Sequence, residues 1–197
     1  MALWCGDLGA AERYLGLLLD HSSAHALGLW RAWGECFKGV ALIKRGDAAA
    51  GLHALRSVLA ETSQIRSLPR YLGLLGELAA AMGQAGETAQ ALETIDAAIE
   101  RSERRHEQWC LAELLRIKGE LVLQERAPHA IASATSCFRR ALDLARRQSV
   151  LSFELRTAIS LARLQRDQGD VPGARKVLGA VYRRFTEGLA TPDLRSM

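Results

Sequence analysis

His21 and His25 stand four residues apart, the spacing at which two imidazoles share one helix face and can act as paired metal ligands. No third ligand accompanies them, so a satisfied or solvent-exposed pair is the simpler reading and no metal is expected. His53, His106 and His129 have no informative spacing. The carboxylates of Asp7, Asp47 and Asp170 each stand where a helix should begin, and capping free backbone N–H groups explains them without a catalytic role. Cys5, Cys36, Cys110 and Cys137 form no CxxC pair, which suits reduced thiols in a cytosol. The chain has no GxSxG, no HExxH and no Cys with a spacing-defined His. Neither catalysis nor a cofactor is therefore expected of these residues alone.

The charge balance is mild, +4 over 197 residues, where a dedicated nucleic-acid binder more often carries a concentrated basic stripe. Arginines do cluster, at Arg101, Arg104 and Arg105, at Arg139, Arg140, Arg146 and Arg147, and at Arg183 and Arg184. Arg139 with Arg146, and Arg140 with Arg147, recur at seven and share a helix face. Glu100, Glu103, Asp143 and Glu187 interrupt the clusters, which favours a solvated outer wall; contact with phosphate or nucleic acid is the alternative.

Hydrophobic residues make up 49% of the chain and charged residues 24%, enough apolar material for a substantial core and too much for a disordered one. Ala, Leu, Arg and Glu dominate, and Val, Ile and Thr never alternate, so helices are expected throughout. There is no export signal, and the most apolar stretch, Tyr71 to Met82, is broken by Glu77. A cytoplasmic location without a membrane contact is expected.

A recurring turn organises these helices. Gly6-Asp7, Gly46-Asp47 and Gly86-Glu87 are 40 residues apart, and Gly169-Asp170 follows after 83, two periods plus three residues. Such a period marks stacked supersecondary units, none able to bury its apolar face alone. Five residues after each turn glycine is a small residue, Ala11, Gly51, Ala91 or Ala174, and seven before it is another, Gly39, Ala79 or Ala162. Small residues on facing helices permit a close antiparallel pair. Nine residues after the turn stands a large apolar residue, Leu15, Leu55, Ile95 or Leu178.

The fourth unit fits when its extra residues are placed in the turn. Gly119 and Ala134 are then the small residues, Phe138 the large one, and Arg126 to His129 replace the glycine turn. Pro128 disfavours helix at Ala127, so the preceding helix should stop near Arg126. Pro69 should open a first helix, and Pro172 falls in the first turn of a second helix, where its missing donor costs little.

The expectation is a single all-α domain over 1–197, an α-solenoid of about four and a half helix pairs with a period of about 40 residues. Its units run over 1–24 (partial), 25–64, 65–104, 105–148 and 149–188, with 189–197 as a tail or truncated capping helix. Of a helix before the first turn only Ala2 to Cys5 are present, and Thr191-Pro192-Asp193-Leu194 announces another helix with three residues left. A fragment of a longer protein, or an array without its caps, is expected, and its apolar ends could pair two copies.

The pattern of small and large residues around the turn resembles the tetratricopeptide repeat, lengthened to about 40 residues. It departs from that repeat at the usual aromatic of the first helix, here Leu42, Met82, Val122 and Gln165. A closer likeness lies in longer strings: GDLGAAERYLGLLLDHS, LWRAWGECFKGVALIKRGD, WCLAELLRIKGELVL, CFRRALDLARRQSVLSFELRTAISLARLQRDQGD and FTEGLATPDL. Together they resemble the C-terminal repeat region of large bacterial signalling ATPases, in which an ATPase follows a winged-helix DNA-binding domain or an adenylyl cyclase domain. The resemblance implies a non-catalytic interaction, sensor or scaffold arm of a signal-transduction protein, a transcriptional regulator or a cyclic-nucleotide signalling protein. No GxxxxGK[ST] loop occurs here, so the chemistry of such a relative would lie outside these residues.

The same resemblance implies a concave groove lined by first helices. Its residues would be Trp33, Cys36 and Val40, then Gly73, Gly76 and Ala80, then Glu113, Arg116 and Glu120, then Arg156, Arg163 and Arg166. Such a groove passes from apolar through small to charged, and suits a peptide or helix with an apolar anchor and an acidic group. The alternative is that Glu113, Arg116 and Glu120 pair with one another and with Arg156. Trp30, Trp33 and Trp109 are placed on first helices, where packing between units competes with a ligand platform.

Overall fold

The structure, a computed structural model, describes residues 2–61, 70–188 and 191–195, and all regular structure among them is helical. The helices are α1 (Ala2–Cys5), α2 (Leu8–Ala24), α3 (Gly28–Arg45), α4 (Ala48–Glu61), α5 (Tyr71–Gln84) and α6 (Thr88–Arg105). They continue with α7 (Leu111–Gln124), α8 (Ala130–Arg147), α9 (Leu151–Asp167), α10 (Val171–Tyr182) and the single turn α11 (Pro192–Arg195). Pro69 and the expected unit boundary at 64/65 lie outside the described residues. The chain divides into two compact units, 1–87 and 88–197. The stretch 65–104 crosses that division.

The helix ends explain why the chain reverses where it does. Gly6, Gly46, Gly86 and Gly169 all have left-handed backbone, with φ of 74°, 99°, 84° and 86°. At Gly46 the left-handed residue lets Asp47 N–H reach Leu42 O at 3.0 Å and Gly46 N–H reach Ile43 O at 3.0 Å. Carbonyls that the helix leaves without partners are thus satisfied. The aspartate that follows then starts the next helix. Asp7, Asp47 and Asp170 accept from Ala10, Ala50 and Gly173 N–H at 2.9, 3.1 and 2.9 Å.

Ordinary residues perform the same turn once between Gly6 and Gly46 and at three successive junctions between Gly86 and Gly169. Ala26, His106, Arg126 and Ser149 have φ of 52°, 56°, 53° and 57°. Leu27, Glu107 and Val150 donate back to Ser22, Ser102 and Ala145 at 2.8, 3.0 and 3.0 Å, the bond made by Asp47 in the glycine turn. Glycine content does not reveal these turns, because non-glycine residues hold the left-handed backbone in them. Left-handed residues consequently stand at 6, 26, 46, 86, 106, 126, 149 and 169, spaced by multiples of 20 except for the interval of 23 after Arg126. The three extra residues are Ala127, Pro128 and His129, ahead of α8. Helix α7 stops at Gln124, two residues short of the expected end. Arg70 and Gly188 are left-handed outside this series.

In the unit 1–87, α3 packs on α2, α4 and α5. The α3–α4 contact is backbone-close: a Cβ on Gly51 would lie 2.6 Å from Gly39 O, so neither helix could approach its partner with a larger residue there. Ion pairs tie the neighbours on their wet edges, Arg45 Nε to Glu12 at 2.6 Å and Lys44 Nζ to Glu77 at 2.9 Å. Arg56 pairs with Glu87, and this hydrogen bond holds the Glu87 carboxyl below its ordinary range.

In the unit 88–197, α7 packs on α6, α8 and α9, and α9 packs on α8 and α10. A Cβ on Gly119 would sit 2.5 Å from the Phe138 ring, which is fully buried. Phe138, Leu142, Leu155, Leu164, Val181 and Leu194 belong to one apolar cluster. The carboxylate of Glu154 is buried at its edge, 2% exposed, between the guanidinium groups of Arg146 and Arg184. A buried charge of this kind persists because both oxygens are paired. Trp109, expected on a first helix, lies instead in the 3-10 turn Gln108–Cys110 that leads into α7.

Candidate functional site

The densest arrangement of charge lies on α7 and α9 of the second unit. Glu113, Arg116 and Glu120 recur at three and four residues along α7, which places them on one face. Arg116 makes two parallel bonds to Glu113, at 3.0 Å from Nε and 2.9 Å from Nη2, and lies 3.7 Å from Glu120. From α9, Arg156 approaches Glu113 at 3.7 Å, and Ser160 Oγ donates to Glu120. On its other side Arg156 Nε donates to Asp193 of α11 at 2.8 Å. Burial of Arg156 disfavours its charge, but Glu113 and Asp193 outweigh that cost and its pKa is raised.

Four of the expected groove residues are thus brought into one cluster, Glu113, Arg116, Glu120 and Arg156. Two members were not singled out in sequence, Ser160 and Asp193. Their signal was the interval itself: Ser160 follows Glu120 by 40 residues and Asp193 follows Arg156 by 37. The next two arginines of α9 diverge from the cluster. Arg163 and Arg166 are exposed, and Arg166 pairs with its neighbour Asp167 at 3.0 Å. With Arg175 of α10 they border an open depression.

The residues expected from the other end of the groove belong to the first unit. Trp33 is half-buried against Phe37, ring centroids 5.6 Å apart. Cys36 and Val40 are buried, as is Gly76, while Gly73 and Ala80 are half-buried. Burial, with Glu35 adding to it, pushes the Cys36 thiol up to about 12. Phe37, Lys44, Gly73 and Glu77 border a narrow dip on this unit.

His21 and His25 are both exposed, with ring centroids 4.4 Å apart. Among the described residues no three His, Cys, Asp or Glu side chains are grouped to hold a metal ion. The Cys110 thiol, buried and close to Glu113, is pushed up to about 12, and burial raises Cys137 as well. Along α8, Arg139, Arg140, Asp143 and Arg147 border a shallow surface depression. Arg140 is bound to Glu103 and Arg146 to Glu154, so two of the four strip arginines are tied to carboxylates. Among the described residues no helix is long and apolar enough to cross a membrane.

Comparison with protein-family models and with curated proteins found no match.

Proposed function

We propose that this chain is a helical-repeat interaction module, a tetratricopeptide-like solenoid that serves as the sensor or scaffold arm of a bacterial cytoplasmic signalling ATPase. The observation that carries the reading is the left-handed turn repeated at multiples of 20 residues, apart from the single interval of 23 after Arg126. Side-chain hydrogen bonds span similar intervals: Arg45 to Glu12, Arg140 to Glu103 and Gln148 to the Gln108 carbonyl cross 33, 37 and 40 residues. A regular stack of hairpins creates extended surfaces rather than a closed pocket, which suits recognition of a peptide or protein. Within each unit taken by itself, the aromatic face of α3 in the first and the charged face of α7 and α9 in the second are candidate partner surfaces.

A photo-crosslinking residue placed at Trp33 or at Glu120, with Ser136 on α8 as control, tests this reading in cells of the source organism. Protein adducts from Trp33 or Glu120 and none from Ser136 are expected; adducts only from Ser136, or none at all, would overturn it. The link to an ATPase is checked by the coding sequence upstream of Met1. A GxxxxGK[ST] loop in frame supports it, and an immediate stop codon removes it.

A second reading, nucleic-acid contact through α8, rests on Arg139 and Arg147, exposed on one depression. It requires duplex DNA binding that weakens steeply with salt and is lost on Arg139→Glu with Arg147→Glu.

A further inference from the structure

Between α9 and α10 the surface dips into a depression with an apolar floor of Ile159, Ala162 and Leu178 and a rim of Arg163, Arg166 and Arg175. Val171, beside it, is 42% exposed. Arg163 and Arg175 have no ion pair among the described residues. Arg166 pairs, among the described residues, with its exposed neighbour Asp167, a pair worth little in water. Asp170, the other carboxylate near α10, is occupied in capping that helix. The Arg163 and Arg175 guanidinium groups thus stand beside a depression whose floor residues Ile159 and Ala162 are largely buried and whose accessible apolar members are Val171 and the half-buried Leu178, an arrangement that attracts an anion.

The same helix already shows what chemistry it accepts. Less than one turn before the depression, α9 holds Asp193 on Arg156, and Leu194, 7% exposed, packs in the cluster containing Leu155 and Ile159. Ile159 belongs both to that covered cluster and to the open floor. A carboxylate followed by a large apolar residue is therefore the occupant that α9 takes where it is covered. Farther along, the apolar positions 159 and 162 on α9 and 171, 174 and 178 on α10 recur at helical spacing, a seat for the ridge of a third helix.

We propose that the α9–α10 depression docks an acidic amphipathic helix of a partner protein, its carboxylates on Arg163 and Arg175 and its leucine-like side chains on the floor. The assignment rests on the reading of the chain as an interaction module and names the chemistry of one of its partners. It concerns a surface distinct from Glu120 and Trp33, so the two can fail separately.

The probe is a peptide of about 16 residues, stapled as a helix, with Glu and Leu on one face, and a copy with Lys in place of Glu. Fluorescence anisotropy with the full chain should show binding of the Glu peptide and none of the Lys copy. Arg163→Glu with Arg175→Glu, checked for unchanged circular dichroism and melting, should weaken it at least tenfold, about 1.4 kcal/mol. Arg139→Glu with Arg147→Glu should leave it unchanged. Failure of the Glu peptide to bind, equal binding to both variants, or a DNA duplex that loses its own binding through the Arg163 and Arg175 changes would overturn the assignment. If crosslinks from Trp33 or Glu120 persist while the peptide fails, the module stands and this docking surface does not.

Discussion

Asp193 of α11 accepts a hydrogen bond from Arg156 Nε at 2.8 Å, so a turn that is only four residues long is anchored to α9 by one side chain on each. Arg156 is 15% exposed and Asp193 36%, which places the pair between a surface bridge and a buried one. Leu194 beside it adds apolar burial to the same attachment.

Breaking this contact should loosen α11 without melting the hairpins. Asp193→Asn is expected to cost about 1 kcal/mol, Arg156→Met about 2, and the double variant less than their sum by about 1. Urea denaturation of the four proteins measures the coupling; strict additivity would show that the bond contributes nothing.

Left-handed residues without glycine offer a second measurement. His106, Arg126 and Ser149 have φ between 53° and 57°, a conformation that costs an L-residue about 1 kcal/mol. Changing any one to Gly should raise stability by roughly 0.5 kcal/mol after the entropy of the freer unfolded chain is subtracted. Gly46→Ala should lower it by about 1 kcal/mol, since φ there is 99°. Loss of stability on Ser149→Gly would show that the serine side chain itself holds the turn.

The glycines of the helices separate into two kinds by what surrounds them. Gly51→Ala places a methyl 2.6 Å from Gly39 O and from the Ile43 side chain, and forcing α3 and α4 apart should cost about 2 kcal/mol or more. Gly16, exposed in α2, has nothing within 4 Å of the point where a Cβ would stand, and Gly16→Ala should stabilise by up to about 1 kcal/mol. Thermal melts of both variants decide it. Similar effects of the two changes would refute the close contact.

Alkaline pH should expose the buried thiols. Cys36 and Cys110 rise from 9.0 to about 12 on burial, so between those values the unfolded chain releases protons that the folded chain keeps. The stability they contribute is complete below about pH 9 and declines as pH rises toward 12, by about 1.4 kcal/mol per pH unit for each thiol. Cys36→Ala with Cys110→Ala should therefore flatten the loss of stability measured by urea denaturation between about pH 8 and about pH 10.5. An unchanged slope would mean that both thiols reach water.

The glycine turns and aspartate caps were legible because each is local: a left-handed residue and a side-chain acceptor act on backbone a few residues away. The small residues were legible by their interval, and Ala11, Gly51, Ala91, Ala134 and Ala174 are all buried. Ala26, His106 and Ser149 were hidden, since nothing in their own chemistry calls for positive φ. Of the residues placed in the groove from the register, Cys36 and Val40 are enclosed by neighbours, whereas Arg163 is exposed. Register gives a direction along a helix and says nothing about how much another helix covers it.

By itself the sequence determined that this chain is helical and where the helices flanking the glycine turns end and begin, because periodicity, capping and glycine act within one turn of backbone. Which side chains meet was decided by the tertiary structure. Glu113, Glu120, Arg156, Ser160 and Asp193 lie on three helices, and only packing brings groups about 40 residues apart into contact, since an ion pair depends on distance in space.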